Sequence, residues 1–495
     1  MKRVSWLLIL NKYHAILFLI SGFLLFLSIT PSLGNSDLQE PYMAVSGLID
    51  NRSTFSDGAH SIEELVRIAH SRGFKILAIN DHNSLAIAYG VLPFRNILKY
   101  KKEFPSILTH GARKFLKEID RVSKLYPDMI IIPGCETSPY YYWTGSYFKG
   151  NLTANDYDKR IIILNFNDPD DYNHIPNLHN KLSLKYTARL LPFTIVFLCL
   201  LFIGLFFMIG EGYYRIIGLI LVILSVLAIV NYNPFRSSIF TQYDGDQGIA
   251  PSQELIDYAN QRGGFTFWNY PEQLSGVRKH GPIYVKTPPY PQVLLQSKNY
   301  TGFAAVYGEN TMITEPGREW DMVLNQYCHG ERARPPWGIS TGDFHEDGSE
   351  GVKLGVYPTT FLVKEFSKKA VLEAMKNGRM YCSLGDSKIW PKLDYFTISE
   401  GNEKKSFMGG TLTTAQFPLI RFKISYETKE SSPMTFFLIR GGEVIRTFIE
   451  KPPFEVEHLD KDIPLRKKTY YRIMDSNKFL TSNPIFVFYN PDSPR

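Results

Sequence analysis

Seven short apolar runs, each ending in residues able to carry chemistry, constrain this chain more than any other feature. Met43 to Ile49 runs into Asp50, Phe74 to Ile79 into Asn80-Asp81-His82-Asn83, Met129 to Ile132 into Gly134-Cys135-Glu136, and Ile161 to Leu164 into Asn165. The pattern resumes later, with Phe265 to Trp268 before Asn269-Tyr270-Pro271, Phe303 to Tyr307 before Gly308-Glu309, and Trp337 to Ser340 before Gly342-Asp343-Phe344-His345. Helix signals lie between some of them. Ser61 and Glu64 form a capping-box pattern ahead of Leu65, Val66 and Ala69, and Leu255, Ile256 and Ala259 precede the stop Gly263-Gly264. Such alternation predicts a parallel sheet, and polar residues at the C-terminal ends of many strands predict a barrel with one chemically active face.

At 495 residues the chain has room for two or three domains. A net charge of +7, spread without a dense Lys/Arg block, gives no support to nucleic-acid binding. Cys135, Cys199, Cys328 and Cys382 are far apart and lack CxxC spacing, which argues against a disulfide framework or a cysteine zinc site.

Two segments point to a lipid bilayer as a partner. Lys2, Arg3 and Lys12 precede an apolar run from Ala15 to Ile29 and small residues at Ser32-Leu33-Gly34, so residues 1–34 are expected to be an export signal or an anchor. The chain beyond Gly34 should then be extracytoplasmic, periplasmic or at the cell surface. A second feature spans 190–232, where Pro192 to Gly210 and Ile216 to Val230 flank Glu211-Gly212-Tyr213-Tyr214-Arg215. These lengths predict a transmembrane helical hairpin. An even number of spans returns the chain to its starting side, so residues 42–185 and 240–388 are expected to be two halves of one interrupted barrel. Lys181, Lys185 and Arg189 precede the hairpin on the expected outer side, against the positive-inside pattern.

The last third changes character. Val371, Leu372 and Met375 mark a helix stopping at Gly378, after which short β-branched and aromatic segments recur. Among them are Leu419 to Tyr426, Met434 to Arg440, Glu443 to Phe448, Tyr470 to Met474 and Pro484 to Phe488. Residues 390–495 are therefore expected to form a small antiparallel β-sandwich with no evident catalytic set.

Five segments in order carry a family resemblance: Ser53 to Gly58, Ala78-Ile79-Asn80-Asp81-His82, Ile132-Pro133-Gly134-Cys135-Glu136, Gly263-Gly264 with Pro271, and Gly342-Asp343-Phe344-His345. From about Ala44 to Thr360 the chain resembles the PHP (polymerase and histidinol phosphatase) domain, and more narrowly the PHP metallohydrolases with a C-terminal β domain. The resemblance implies an α/β fold built on a distorted seven-stranded barrel that binds two or three metals, usually for phosphoester hydrolysis. It places Asp57, His82, Glu136, Asp343 and His345 at family ligand positions. Carboxylates and imidazoles of this kind suit Mn, Fe or Zn and a metal-activated water.

Departures accompany these matches. The first-strand His-x-His pair is Asp50 and Arg52, the His expected near Arg160 to Ile162 is absent, Tyr270 replaces the His before Pro271, and the next acidic position is Ala304 or Ala305. A guanidinium has no lone pair to give a metal. This leaves two readings. In one, the multinuclear site is lost and Arg52 supplies the missing positive charge, leaving a weakly active or inactive scaffold, or a membrane-tethered module that binds an anion or another molecule. In the other, Asp50, Asp57, His82, Glu136, Asp343 and His345 hold a divalent ion, with Arg52 and Asp81 as catalytic groups and a phosphorylated or other anionic small molecule as substrate. His174 and His179 are possible substitute ligands. His60, His70, His110, His280, His329 and His458 are expected at the surface or in packing.

Overall fold

The computed structural model describes residues 42–309, 311–348, 353–385, 391–401, 404–426 and 432–492. The expected signal or anchor at 1–34 lies outside them. The apolar runs form β1 (Met43–Asn51), β2 (Ile76–Ile79), β3 (Ile130–Thr137), β4 (Ile161–Leu164), β5 (Phe265–Trp268), β6 (Gly302–Val306) and β7 (Trp337–Ser340), joined by β8 (Pro358–Val363) and β9 (Met380–Ser383). They are neighbours in one sheet, in the order β7-β6-β5-β4-β3-β2-β1-β8-β9. β2 and β4 are buried along their whole length, which explains why their sequences are continuously apolar and do not alternate.

The sheet is mixed, which corrects the expectation of parallel strands. β1 with β2, β2 with β3, β5 with β6, and β6 with β7 are parallel, but β4 is antiparallel to both its neighbours. A parallel return needs a crossover, usually a helix. Between β3 and β4 the chain makes only two short strands, Tyr142–Thr144 and Thr153–Asn155, and one 3-10 turn, so it re-enters the sheet from the end it left. That reversal puts Arg160, and not Asn165, at the end where β1, β2 and β3 deliver their polar residues. Asn165 lies at the other end and bonds to Gly263 O at 3.2 Å.

Local geometry matches the sequence closely. Ser61 and Glu64 cap the helix Ile62–Ser71 reciprocally, and Gly378, at φ 69°, closes the helix Lys368–Asn377. Gly47 is required where β1 meets β2, because a Cβ there would lie 2.7 Å from Ile76 Cβ. Past β7 the sheet curls. Gly342 N bonds to Ile49 O (3.3 Å), Phe344 N to Asp50 O (3.1 Å) and Arg52 N to Phe344 O (2.9 Å), bringing Asp343 against the end of β1.

A lateral unit lies beside this sheet. The antiparallel ribbon Leu85–Gly90 with Lys99–Phe104 packs near a sheet of Val277–His280, Ile283–Lys286, Thr153–Asn155 and Tyr142–Thr144. Ile87, Tyr141, Trp143, Leu152, Ala154 and Val285 form its separate apolar cluster.

Thr187–Met208 and Tyr213–Asn231 are two packed helices of 22 and 19 residues, long and apolar enough to cross a membrane by length and composition alone. At 1.5 Å per residue they measure about 33 and 28 Å. Gly204 and Gly218 let them approach: a Cβ on Gly218 would lie 2.7 Å from Gly204 O. Most of their remaining large side chains are exposed. At the base, Asn231 Oδ1 accepts from Asn96 N (2.9 Å) and Asn231 O from Asn96 Nδ2 (2.8 Å), fastening the helices to the ribbon turn.

The C-terminal region is β-rich. The sheet of Pro391–Glu400, Lys404–Phe407, Leu419–Tyr426 and Phe454–Leu459 shares a core with Met434–Arg440, Lys468–Asp475 and Ile485–Tyr489. It is not wholly antiparallel, since Thr411–Thr414 pairs parallel with Ile485–Tyr489. Nor is its hydrogen bonding separate, because Leu480–Ser482 pairs with β9 and continues the main sheet.

Candidate functional site

Arg52 is the centre of the polar cluster at the strand ends. It comes directly after β1, is fully buried, and places Nη1 2.5 Å from Asp50 Oδ1 and Nη2 2.9 Å from Glu136 Oε2. Nη2 also reaches Asp343 Oδ1 at 3.2 Å, and Nη1 bonds to Asn80 O. Burial alone would lower the pKa of this guanidinium, but Asp50, Glu136 and Asp343 outweigh it and hold the pKa well above its ordinary range. The group is a permanent cation.

Arg160 is the second cation, and the missing histidine at its position gave no hint of its role. Nη1 lies 2.7 Å from Glu136 Oε2, and Nη2 bonds to Asp158 Oδ1 at 3.0 Å. A parallel Ile161 to Leu164, as the apolar pattern suggests, would send Arg160 to the wrong end, which is why sequence patterning misses it. The signal available is the link from β3, residues 138–160, which holds no α-helix.

Glu136 is thus saturated. Its Oε2 receives both arginines, and His82 Nδ1 stands 3.2 Å away, while Oε1 accepts from Asn269 Nδ2 at 2.6 Å. Burial works against its ionisation, yet Arg52 and Arg160 hold its pKa well below the usual carboxylate range. Asp50 is similarly spent. Oδ2 accepts from Asn269 Nδ2 at 2.9 Å and from the Tyr270 hydroxyl, and its backbone N–H donates to Asn80 Oδ1 at 3.0 Å. Asp50, Tyr270 and Asp343 all have positive φ, at 73°, 45° and 43°, a conformation non-glycine residues adopt at a cost.

Asp57, His82 and His345 form a second group nearer the mouth. Asp57 Oδ2 is 3.2 Å from His82 Nε2 and 3.4 Å from His345 Nε2. Arg160 Nη1 also faces His82 Nε2, at 3.2 Å. Partial burial would raise Asp57, but hydrogen bonds from His345 and His82 keep it far below its ordinary value. Partial burial would lower His345, but Asp57 and then Asp343 push it up to about 9. Asp343 is itself raised, by burial first, with Arg52 opposing.

The six expected metal ligands therefore do meet, with His82 joining the mouth group to Glu136, while Arg52 and Arg160 take the positions beside the Glu136 carboxylate. Asp81 sits apart from both. Oδ1 accepts from Ser53 N (2.8 Å) and Ser56 Oγ (2.6 Å), and Oδ2 from Ser53 Oγ (2.6 Å), so the carboxylate ties down the loop that carries Asp57. His179 bonds to Tyr141 at 3.1 Å and His174 to Asp170 O at 2.9 Å, and neither joins the cluster.

This donor set does not suit a multinuclear metal centre. Among the described residues no group of at least three His, Cys, Asp or Glu side chains is arranged to hold one ion. The reason is visible in the contacts: the lone pairs of Glu136 and Asp50 point at N–H and O–H donors. A divalent ion 4 Å from one guanidinium would be repelled by about 8 kcal/mol at an effective dielectric near 20.

Comparison with known proteins agrees with the strand-end motifs. Residues 50–215 match the family model of the PHP domain. A search of curated proteins finds no match. Among solved structures, similarity is found to a two-domain protein from Bacteroides vulgatus described as containing a predicted PHP-like metal-dependent phosphoesterase, at 11% identity and TM-score 0.37, covering 91% of this chain and 96% of that one. A protein described as a metal-dependent phosphoesterase from Bifidobacterium adolescentis is similar at 12% identity and TM-score 0.28, over 62% of this chain and 90% of that one. Fibronectin(III)-like modules of Clostridium thermocellum CbhA are similar at 14% identity and TM-score 0.13, over 20% of this chain and 96% of theirs. Residues 50–215, which hold Asp50, Asp57, Asp81-His82 and Glu136, are thus similar to the PHP domain.

Proposed function

We propose that this chain is a membrane-anchored, extracytoplasmic PHP-like protein in which Arg52 and Arg160 replace the charge of the metals, leaving a site that is inactive or only weakly active in phosphoester hydrolysis. The observation that carries the reading is the convergence of both guanidinium groups on Glu136 Oε2, at 2.9 and 2.7 Å. The family's hydrolytic chemistry needs positioned metal ions. Here the positions beside Glu136 and Asp50 belong to side chains that cannot give electrons to an ion or lower the pKa of a water by coordination. The seven strands act as a distorted barrel that holds these groups rigid.

An anionic small molecule is the proposed ligand, for which the partly exposed cations are His345 and Arg160, at 33% and 22% side-chain exposure, with Asp57 and Asp343 beside them opposing an anion. Membrane anchoring is supported by the apolar helices 187–208 and 213–231.

Elemental analysis of the detergent-purified chain tests this, together with turnover of p-nitrophenyl phosphate in added Mn, Fe or Zn. Substoichiometric metal and no metal-dependent turnover are expected. Stoichiometric metal that is lost with phosphatase activity in Asp343→Ala and His345→Ala variants would establish the competing enzyme reading.

A further inference from the structure

A cavity of about 1030 Å³ lies between the ribbon Leu85–Gly90/Lys99–Phe104 and the small sheet beside it. This is at the upper end of the range of about 300–1,000 Å³ typical of small-molecule sites. Its wall is largely apolar, with Ile87, Trp143, Leu152 and Val285 buried along it. The rim stays greasy where it meets solvent: Tyr100 is 74% exposed and Phe148 is 92% exposed. Contiguous exposed apolar surface of this kind marks a binding site.

Two further observations specify the occupant. Lys102 lines the cavity with its Nζ 4.8 Å from the centre of the Phe104 ring, another wall residue, whereas Lys99, three positions earlier on the strand, projects from the other face of the ribbon. The ribbon that carries Lys102 is bonded through Asn96 to Asn231, the last residue of the second apolar helix. Long apolar walls, a cation at the rim and attachment at the helix base combine in one place.

We propose that this cavity binds one acyl chain of an anionic phospholipid, with the phosphate of its headgroup held by Lys102. The inference rests on the membrane reading given above. The bound lipid would sit next to the arginine-held centre, because Arg278, which lines the cavity, pairs with Asp158, and Asp158 Oδ1 holds Arg160 at 3.0 Å.

Bromine-labelled lipids test the proposal on the full chain. Trp143 is the reporter, and its emission is the difference between the wild type and Trp143→Phe. In vesicles, phosphatidylglycerol with brominated chains should quench Trp143 more strongly than brominated phosphatidylcholine. The exposed-site variant Lys102→Gln should weaken that preference by roughly 5-fold. Equal quenching by both lipids, or quenching unchanged in Trp143→Phe, would overturn the proposal. Flotation with vesicles measures membrane association separately. If the chain does not float, monomeric brominated lysophosphatidylglycerol still reports on the cavity: quenching of Trp143 supports the site and its absence sinks it.

Discussion

Arg52 stands 2.9 Å from Glu136 Oε2 with neither side chain exposed to solvent. A buried pair of this kind is a weak net stabiliser, yet losing one partner strands an uncompensated charge and costs about 3–5 kcal/mol. Arg52→Ala should therefore lower unfolding stability by about that amount. Arg52→Ala combined with Asp50→Asn should recover part of it, because Asp50 loses its cation with Arg52 while Glu136 keeps Arg160. Denaturant unfolding of the detergent-solubilised chain measures both, and a double variant no more stable than the single one would contradict the pairing.

Arg52 and Arg160 also make a gain-of-function prediction. Replacing both with His adds two imidazole donors beside Glu136 and removes two cations that repel an ion. The Arg52→His/Arg160→His variant should bind Zn²⁺ or Mn²⁺ in calorimetry under conditions where the wild type gives no heat. Equal metal binding by the two proteins would show that the arginines are not what keeps the ion out.

His345 gives the site a pH dependence whose sign is fixed. Its pKa rises from an ordinary 6.5 to about 9: burial opposes the charge, but Asp57 and Asp343 prevail. The folded state then binds more protons than the unfolded state across that interval, so the contribution is whole below pH 6.5 and is lost as pH climbs through 9. Asp57 works at the acid end. Its depressed pKa contributes stability above the ordinary carboxylate range and loses it as the group protonates. The urea midpoint should fall between pH 6.5 and 9, and Asp57→Asn should flatten that fall. Side chains a third or more exposed are screened by solvent, so the change should be small.

Much of this was legible in the sequence, for identifiable reasons. Runs such as Ile161 to Leu164 are buried along their whole length, so apolar composition alone located them. The loop from Ser53 to Gly58 and the pair Asp81-His82 were legible as motifs because the carboxylate of Asp81 needs Ser53 and Ser56 as donors. Strand direction was not legible, because an apolar run has no polarity of its own. It depends on whether the preceding link crosses the sheet, and misjudging that link hid Arg160. The lateral ribbon was missed for a related reason: Lys99–Phe104 is mostly exposed and charged, so it lacks the apolar signature of a core strand. Parallel pairing of Thr411–Thr414 with Ile485–Tyr489 joins segments far apart in sequence, which local patterning cannot encode.

Asp321 and Arg472 supply the final prediction, on how the C-terminal β region is held. Asp321 lies on the helix Glu319–Cys328 and Arg472 on the strand Lys468–Asp475, and both are fully buried. The guanidinium engages the carboxylate in a fork, Nε to Oδ1 and Nη2 to Oδ2, each at 2.7 Å. The Tyr470 hydroxyl donates to Oδ1 at 2.7 Å, and Gly317 N donates to Oδ2 at 2.8 Å. A bidentate pair with every lone pair satisfied fixes orientation as well as distance. Asp321→Ala should cost about 3–5 kcal/mol, since it leaves Arg472 buried without its partner. Asp321→Ala/Arg472→Met should recover most of the loss, because a side chain of similar length and no charge can fill the same space beside Trp320. Hydrogen exchange would locate the effect. Amides on Lys468–Asp475 and Glu319–Cys328 should lose protection together in Asp321→Ala, whereas loss confined to the helix would show that the strand is held by its sheet neighbours alone.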